Sequence, residues 1–501
     1  MRTTMRAKKT LVMLFLLAAL AALLPAAGSG GAPNGALAAS ISTLAQGPGQ
    51  SPESKPRPDS AREVVMLVAG GDVGGRLFHL VPNALFVSST DAAQVYEPRS
   101  GRLEPTRGRL HDSREGATAT LLADGKLLIA GGLRCVNGIF GSRCAALDTA
   151  ELYDPASGRF VTAGAGSGGK MSSARAGHSA TLILGCNCAA DGKVLLAGGI
   201  SGSIKTTLRG IVSSVPLATA ELYDPVKDAF VAVKAKMKDR RQNHCAAPLV
   251  GGQVLIAGGD DAGYFEHALS AAEIYDPKTN SFLPAGTMQT ARELAQATTL
   301  ERQVVKGSLA GDVLISGGLV ASGRLMGDSS STAELYDPRA KRFIAIASHM
   351  SSPRTNHSAV LLASGPLAGT VLIAGGIQLR GDGTARGVRQ VSYATADIYD
   401  PSVDGTGEFR PTGDLNEARG GHAFALLSGG PNSGEVLVVG GENCDGKSPS
   451  FCYIAGSPED RAARNPGVGA ELYDPITGAW TPLRATMPTP VSAAAYGAVS
   501  R

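Results

Sequence analysis

Aromatic residues make up only 5% of this 501-residue chain, with a single tryptophan, so any core must rest on Val, Leu, Ile and Ala. Charge is also scarce: 18% of residues are charged against 43% hydrophobic, which excludes a highly charged disordered chain. No dense run of Lys and Arg follows residue 9, so nothing tracks a phosphate backbone and nucleic acid is excluded as a partner. There is no Walker loop, no dinucleotide fingerprint, no zinc-protease motif and no Gly-x-Ser-x-Gly elbow. The common nucleotide, metalloprotease and serine-hydrolase chemistries thus lack their carriers.

What is abundant is glycine, at 65 residues, with no collagen-like period. These glycines read as turns and strand ends. The first residues have the layout of a secretory signal. Arg2, Arg6, Lys8 and Lys9 precede an apolar run from Leu11 to Leu24, Pro25 breaks it, and Ala36-Leu37-Ala38 offers small residues at cleavage spacing. The run is shorter than the roughly 20 residues of a membrane span. Residues 1–38 are expected to be removed, leaving no transmembrane segment, and the chain to be exported: secreted, periplasmic or held at the cell surface. The four basic residues of that segment account for the whole formal charge of +4, so the remainder is formally neutral. Residues 39–61, rich in Pro and Ser, read as a disordered linker.

Export permits disulfides. Of the seven cysteines, Cys135 and Cys144 bracket one loop and Cys444 and Cys452 another, so these are expected as local pairs. Cys186, Cys188 and Cys245 leave an odd thiol, and no metal site is expected, since further ligands cannot be placed.

The chain is internally repeated. AELYDP occurs at 150–155, 220–225, 333–338 and 470–475, with variants at 93–98, 272–277 and 396–401. The central tyrosines are Tyr96, Tyr153, Tyr223, Tyr275, Tyr336, Tyr399 and Tyr473. A Gly-Gly pair precedes each, closing an apolar run such as Val194-Leu195-Leu196-Ala197 that suits a strand buried on both faces. Successive pairs lie 58 to 67 residues apart. A bulky apolar residue follows each tyrosine, across an Asp-Pro turn: Leu103, Phe160, Phe230, Phe282, Phe343, Phe409 and Trp480. Upstream lies a further strand, clearest at Arg175-Ala176-Gly177-His178. Arg241…His244, Arg354…His357 and Arg419…His422 match it, while Arg114…Ala117 and Arg292…Ala295 keep only the Arg.

Each unit therefore reads as four short antiparallel strands, one blade of a propeller. The pattern resembles the kelch repeat over roughly residues 62–501. The resemblance implies an all-β, seven-bladed kelch-type β-propeller of one domain, expected as a monomer. The first unit, starting at Val64, lacks its first strand, and the C-terminus carries an orphan one at Val491–Val499. The C-terminal strand is expected to complete the first blade and clasp the ring.

Loops alternate between the two ends of such a blade, so the arginine signature and the long loops after Gly-Gly gather on one face. Recognition usually lives in variable loops on a rigid scaffold. Arg114, Arg175, Arg241, Arg292, Arg354 and Arg419 would form an incomplete ring there, with Pro488 at the seventh place. Such a ring can grip an anionic ligand by forked hydrogen bonds, or fasten blade to blade. The leading expectation is a binding module for a protein or carbohydrate partner, with no cofactor. Two enzymatic alternatives come from resemblance. Exported kelch mutarotases acting on sialic acid imply an acid/base carboxylate beside a cation, which Arg114-Glu115 and Arg292-Glu293 would supply. Copper-radical oxidases like galactose oxidase imply a Tyr cross-linked to Cys; Tyr264 and His267 share a loop that has no Cys.

Overall fold

A computed structural model describes residues 64–71, 89–138, 141–207, 210–212, 215–262, 267–321, 327–381, 388–403, 405–428, 430–444, 452–454, 469–483 and 495–500. The expected signal segment and linker, together with Val491 and Pro488, lie outside them.

The Asp-Pro turns form as their composition demands. Asp154 Oδ1 accepts the Ala156 N–H at 3.0 Å, and Asp224, Asp276, Asp337, Asp400 and Asp474 each do the same two residues on. Each turn joins two antiparallel strands and sets their register, which places the tyrosine directly opposite the next bulky residue. Tyr153 faces Phe160 and Tyr473 faces Trp480, with ring centroids 5.0 and 5.1 Å apart. Both members of each pair are buried. Trp480 adds a hydrogen bond from its indole nitrogen to the Gly413 carbonyl at 2.9 Å, so its ring is also oriented.

The apolar runs before Gly-Gly are the second strands of their sheets. Leu127–Ala130, Val194–Ala197, Val254–Ala257, Val313–Ser316, Val371–Ala374 and Val436–Val439 are buried at every position. A strand flanked by hydrogen-bonded neighbours and covered on both faces has no place for a polar side chain.

Seven four-stranded antiparallel sheets of this kind are present among the described residues. Blade 2 is typical: Thr118–Leu121, Leu127–Ala130, Ala150–Asp154 and Arg159–Thr162, in that order. In blade 1 the order is Arg102–Pro105, Ala93–Glu97, Val64–Ala69 and then Ala495–Ser500. The C-terminal strand thus pairs with Val64–Ala69, from Val64 opposite Ser500 to Ala69 opposite Ala495. Each blade's innermost strand packs on the next blade's. Ala495–Ser500 touches both Thr118–Leu121 of blade 2 and Ala423–Leu426 of blade 7, which closes the circle. The core is correspondingly divided into clusters between adjacent blades. One joins blades 6, 7 and 1, from Val360 through Val436 to Tyr96.

Candidate functional site

The Gly-Gly pairs mark the seam between blades. Both glycines have positive φ, 63° and 88° at Gly198-Gly199. A Cβ on Gly198 would sit 2.5 Å from the Arg241 carbonyl oxygen, and one on Gly199 2.7 Å from that of Ala176. Only glycine permits this approach. The approach lets the second glycine donate its N–H to the arginine carbonyl of the following blade, at 2.9 Å for Gly199 to Arg241 and for Gly132 to Arg175.

The arginine side chain then turns back into its own blade. Arg354 Nη1 donates to the carbonyls of Gly375 and Thr395, at 2.7 and 2.8 Å. Its Nη2 reaches Asp397 at 3.0 Å. Arg114, Arg175, Arg241, Arg292 and Arg419 repeat the pattern on Glu151, Glu221, Glu273, Glu334 and Glu471. All six arginines are completely buried. Their guanidinium groups are engaged with carbonyls and carboxylates of the repeat, and none faces solvent as an anion grip requires. What the geometry gives these residues, expected as a ligand ring, is the linking of each blade to its neighbour.

The partner carboxylate escaped the sequence reading, although it stands in plain view as the second residue of AELYDP. It also accepts a backbone N–H from the strand entrance, as Glu471 does from Asn416 at 2.6 Å. One signal identifies it. The seventh place has Pro488 instead of Arg, and the blade that this place completes has Gln94 instead of an acid. Where the cation is missing, the anion is missing too.

Three of the four repeat histidines hydrogen-bond to the preceding blade, whereas neither ring nitrogen of His422 has a hydrogen-bond partner among the described residues. His178 Nε2 lies 3.0 Å from Thr118 Oγ1 of the preceding blade, His244 Nε2 2.8 Å from Ser179 Oγ, and His357 Nε2 2.9 Å from Ser316 Oγ. Burial, with the neighbouring arginine charge second, holds His244 and His422 down to about 3 and His178 and His357 well below the usual range. They are neutral packing groups at ordinary pH.

Glu115 and Glu293, expected beside a cation, are not brought together with Arg114 and Arg292. Adjacent residues of an extended chain point to opposite sides. The guanidinium groups go to Glu151 and Glu334, while Glu115 and Glu293 turn toward the loop face, each 1% exposed. Burial, and then the charge of Asp260, pushes Glu293 up to about 8. Glu115 Oε1 lies 3.3 Å from Cys135 Sγ.

Cys135 and Cys144 are joined, as are Cys186 and Cys188. Cys444 is disulfide-bonded and stands directly opposite Cys452 in a hairpin. Cys245 is free and buried, its thiol pushed up to about 12 by desolvation, which leaves it inert. Among the described residues, Glu115 with Cys135 and Cys144 is the only group of such side chains close enough to share a metal ion, and the disulfide already occupies both sulfurs.

The loops after Gly-Gly rise as hairpins on the arginine face. Leu133–Gly138 pairs with Gly141–Ala146, which pairs in turn with Ser203–Thr207 of the next blade's loop and then Gly210–Val212. Two blades thus share one loop sheet. Elsewhere a serine joins the loops. Ser329 Oγ donates to the Ile377 carbonyl at 3.2 Å and accepts the Leu379 N–H at 2.9 Å. Ser392 does the same with Glu442 and Cys444, and Ser89 with Cys135. The crown is therefore cross-braced from blade to blade.

A family model described as Kelch motif matches residues 243–289. No curated protein matches the chain. Two solved structures are similar. One is titled "Structure of YjhT", 13% identical, covering 72% of this chain and 97% of that one, with a TM-score of 0.46. The other is a novel fungal alcohol oxidase of the AA5 family in complex with copper, 18% identical, covering 76% of this chain and 70% of that one, with a TM-score of 0.50. The second likeness shows the fold and nothing about chemistry.

Proposed function

Starting from a kelch-type β-propeller, we propose that the chain is an exported binding module that engages a protein or carbohydrate partner through the loop crown on its arginine face. The supporting observation is the bracing of those loops. Hairpins of different length and sequence are tied to their neighbours by a shared sheet and by serine bridges, and one is closed internally by the Cys135–Cys144 disulfide, so a varied surface is presented with little ordering left to do on binding. The repeat arginines support this surface from below. The surface itself belongs to the residues beyond each Gly-Gly.

The test is a glycan array, with a panel of purified extracellular proteins alongside, probed with the chain from residue 39 onward. Binding is expected to survive Arg107→Ala, away from the crown, and to fall when residues 203–212 are replaced by a short Gly-Ser turn. Binding that is indifferent to every crown replacement, in variants that remain folded, places recognition elsewhere. The mutarotase alternative gains no support from the geometry, because neither Glu115 nor Glu293 sits beside an unengaged cation.

A further inference from the structure

The two loops that share a sheet, residues 133–149 and 200–219, have an unusual charge pattern. They hold Arg134, Arg143, Lys205 and Arg209, and their one acid is Asp148, at the end of the first. Asp148 is paired with Lys170 at 2.9 Å. The other five loops after Gly-Gly each carry an acid within them: Asp72, Asp261, Asp328, Asp382 and Asp445. The chain beyond residue 38 is formally neutral, so the surplus of cations here is local.

The shared sheet gathers three of these cations on one face. Successive strand residues point to opposite faces. Leu133, Cys135 and Cys144 are buried beneath the sheet, against Ala176 and Ile200. Arg134 and Arg143, each next to one of them in sequence, therefore lie on the outer face, and both are exposed. Lys205 stands directly opposite Arg143 in the register, which puts it on that face too. Like charges directly opposite each other destabilise a sheet. Among the described residues Arg143 makes no ion pair. Arg134 makes only a long one, at 3.9 Å to Asp112 with both groups partly exposed, a contact of little worth. Arg134 is opposite Ala145, two positions from Arg143, so the three cations step across three strands at intervals of about 5 to 8 Å. A peptide docked on a sheet edge runs along one strand. A polymer laid across the face meets all three.

Resting on the reading of the crown as the binding surface, we propose that Arg134, Arg143 and Lys205 bind an anionic polysaccharide laid across the outer face of this loop sheet. Guanidinium groups hold its sulfate or carboxylate oxygens by forked hydrogen bonds. The bound anion also removes the repulsion between Arg143 and Lys205. The Cys135–Cys144 disulfide closes the hairpin beneath, so the platform is formed before the ligand arrives.

Titration of the full chain with dextran sulfate, polygalacturonate and neutral dextran tests this. Binding to a polyanion is expected, weaker as salt is raised, with none to neutral dextran. Which polyanion binds separates sulfate from carboxylate. Arg143→Gln with Lys205→Gln should weaken binding by about tenfold or more. The same variant should melt no lower than the wild type, because a repulsion is removed. Arg134→Gln should weaken binding independently, and Lys278→Gln, in an Asp-Pro turn at the opposite end of blade 4, should leave it unchanged. Absence of polyanion binding by the wild type overturns the proposal. So do equal binding of neutral dextran, binding unchanged in the double variant, or a loss that comes with a lower melting temperature. A neutral glycan or an acidic protein bound through another crown loop also overturns it, while the crown reading stands. Binding indifferent to every crown replacement removes both.

Discussion

Acidification from pH 7 to pH 5 should destabilise this propeller through its buried repeat histidines. His178, His244, His357 and His422 are buried and stay neutral in the fold, with pKa values far below the ordinary value of about 6.5. The unfolded chain binds protons at these sites below that value and the folded chain does not, so stability falls as pH falls. Each histidine loses about 2 kcal/mol over this interval, or about 8 for the four. Three carboxyls raised by burial, Glu293, Asp312 and Glu435, act in the opposite sense. Glu293 and Asp312, raised to about 8 and about 6, take up their protons more readily folded than unfolded and return about 4 kcal/mol. The net loss is at most about 4 kcal/mol, a large part of a typical 5–15 kcal/mol stability. The carboxyls held low by ion pairs and backbone hydrogen bonds, Asp91, Asp224, Asp228 and Asp337, titrate below this window and do not contribute. Urea unfolding followed by the buried Trp480 measures the change. Near pH 5.5 the slope should correspond to about two protons bound on unfolding. His178→Asn should reduce that slope by about one proton. A stability that is flat or rising from pH 7 to 5 would refute the assignment of these histidines as neutral spacers.

Two further expectations concern the seams. Arg354→Ala removes the partner of fully buried Asp397 and should cost about 3–5 kcal/mol, whereas Arg354→Met with Asp397→Leu should cost much less, since neither charge is then left alone; paired urea midpoints distinguish the two. Deleting residues 495–501 removes the strand that pairs with Val64–Ala69 and touches blades 2 and 7, so the melting temperature of the whole ring should fall, not that of blade 1 alone; a two-step melt with six blades unchanged contradicts this.

The parts of the molecule legible from residue order are those set by local chemistry. Asp-Pro turns cap themselves within a few residues, so each turn between tyrosine and bulky residue followed directly, and the structure adds the register that sets Tyr153 opposite Phe160. The apolar runs before Gly-Gly can only be doubly covered strands, and they are. The missing first strand of blade 1 and the spare one at the C-terminus implied the closure, found at Ala495–Ser500 within the expected Val491–Val499 region save for its last residue. The arginines were harder to read. A buried guanidinium and an exposed one look identical in a sequence, and the partner acid lies about 32 to 52 positions away.

Periodicity along the chain, read with turn and strand chemistry, is enough to specify a propeller, because each blade repeats the same short-range instructions. Which way a side chain turns at the seam is a different matter, since it depends on the blade next door. The Arg-to-acid links, the separation of Glu293 from Arg292 and the meeting of Asn243 with Glu293 all arise from contacts between distant segments. Their energies come from burial and the satisfaction of charge, which exist only once the circle is closed.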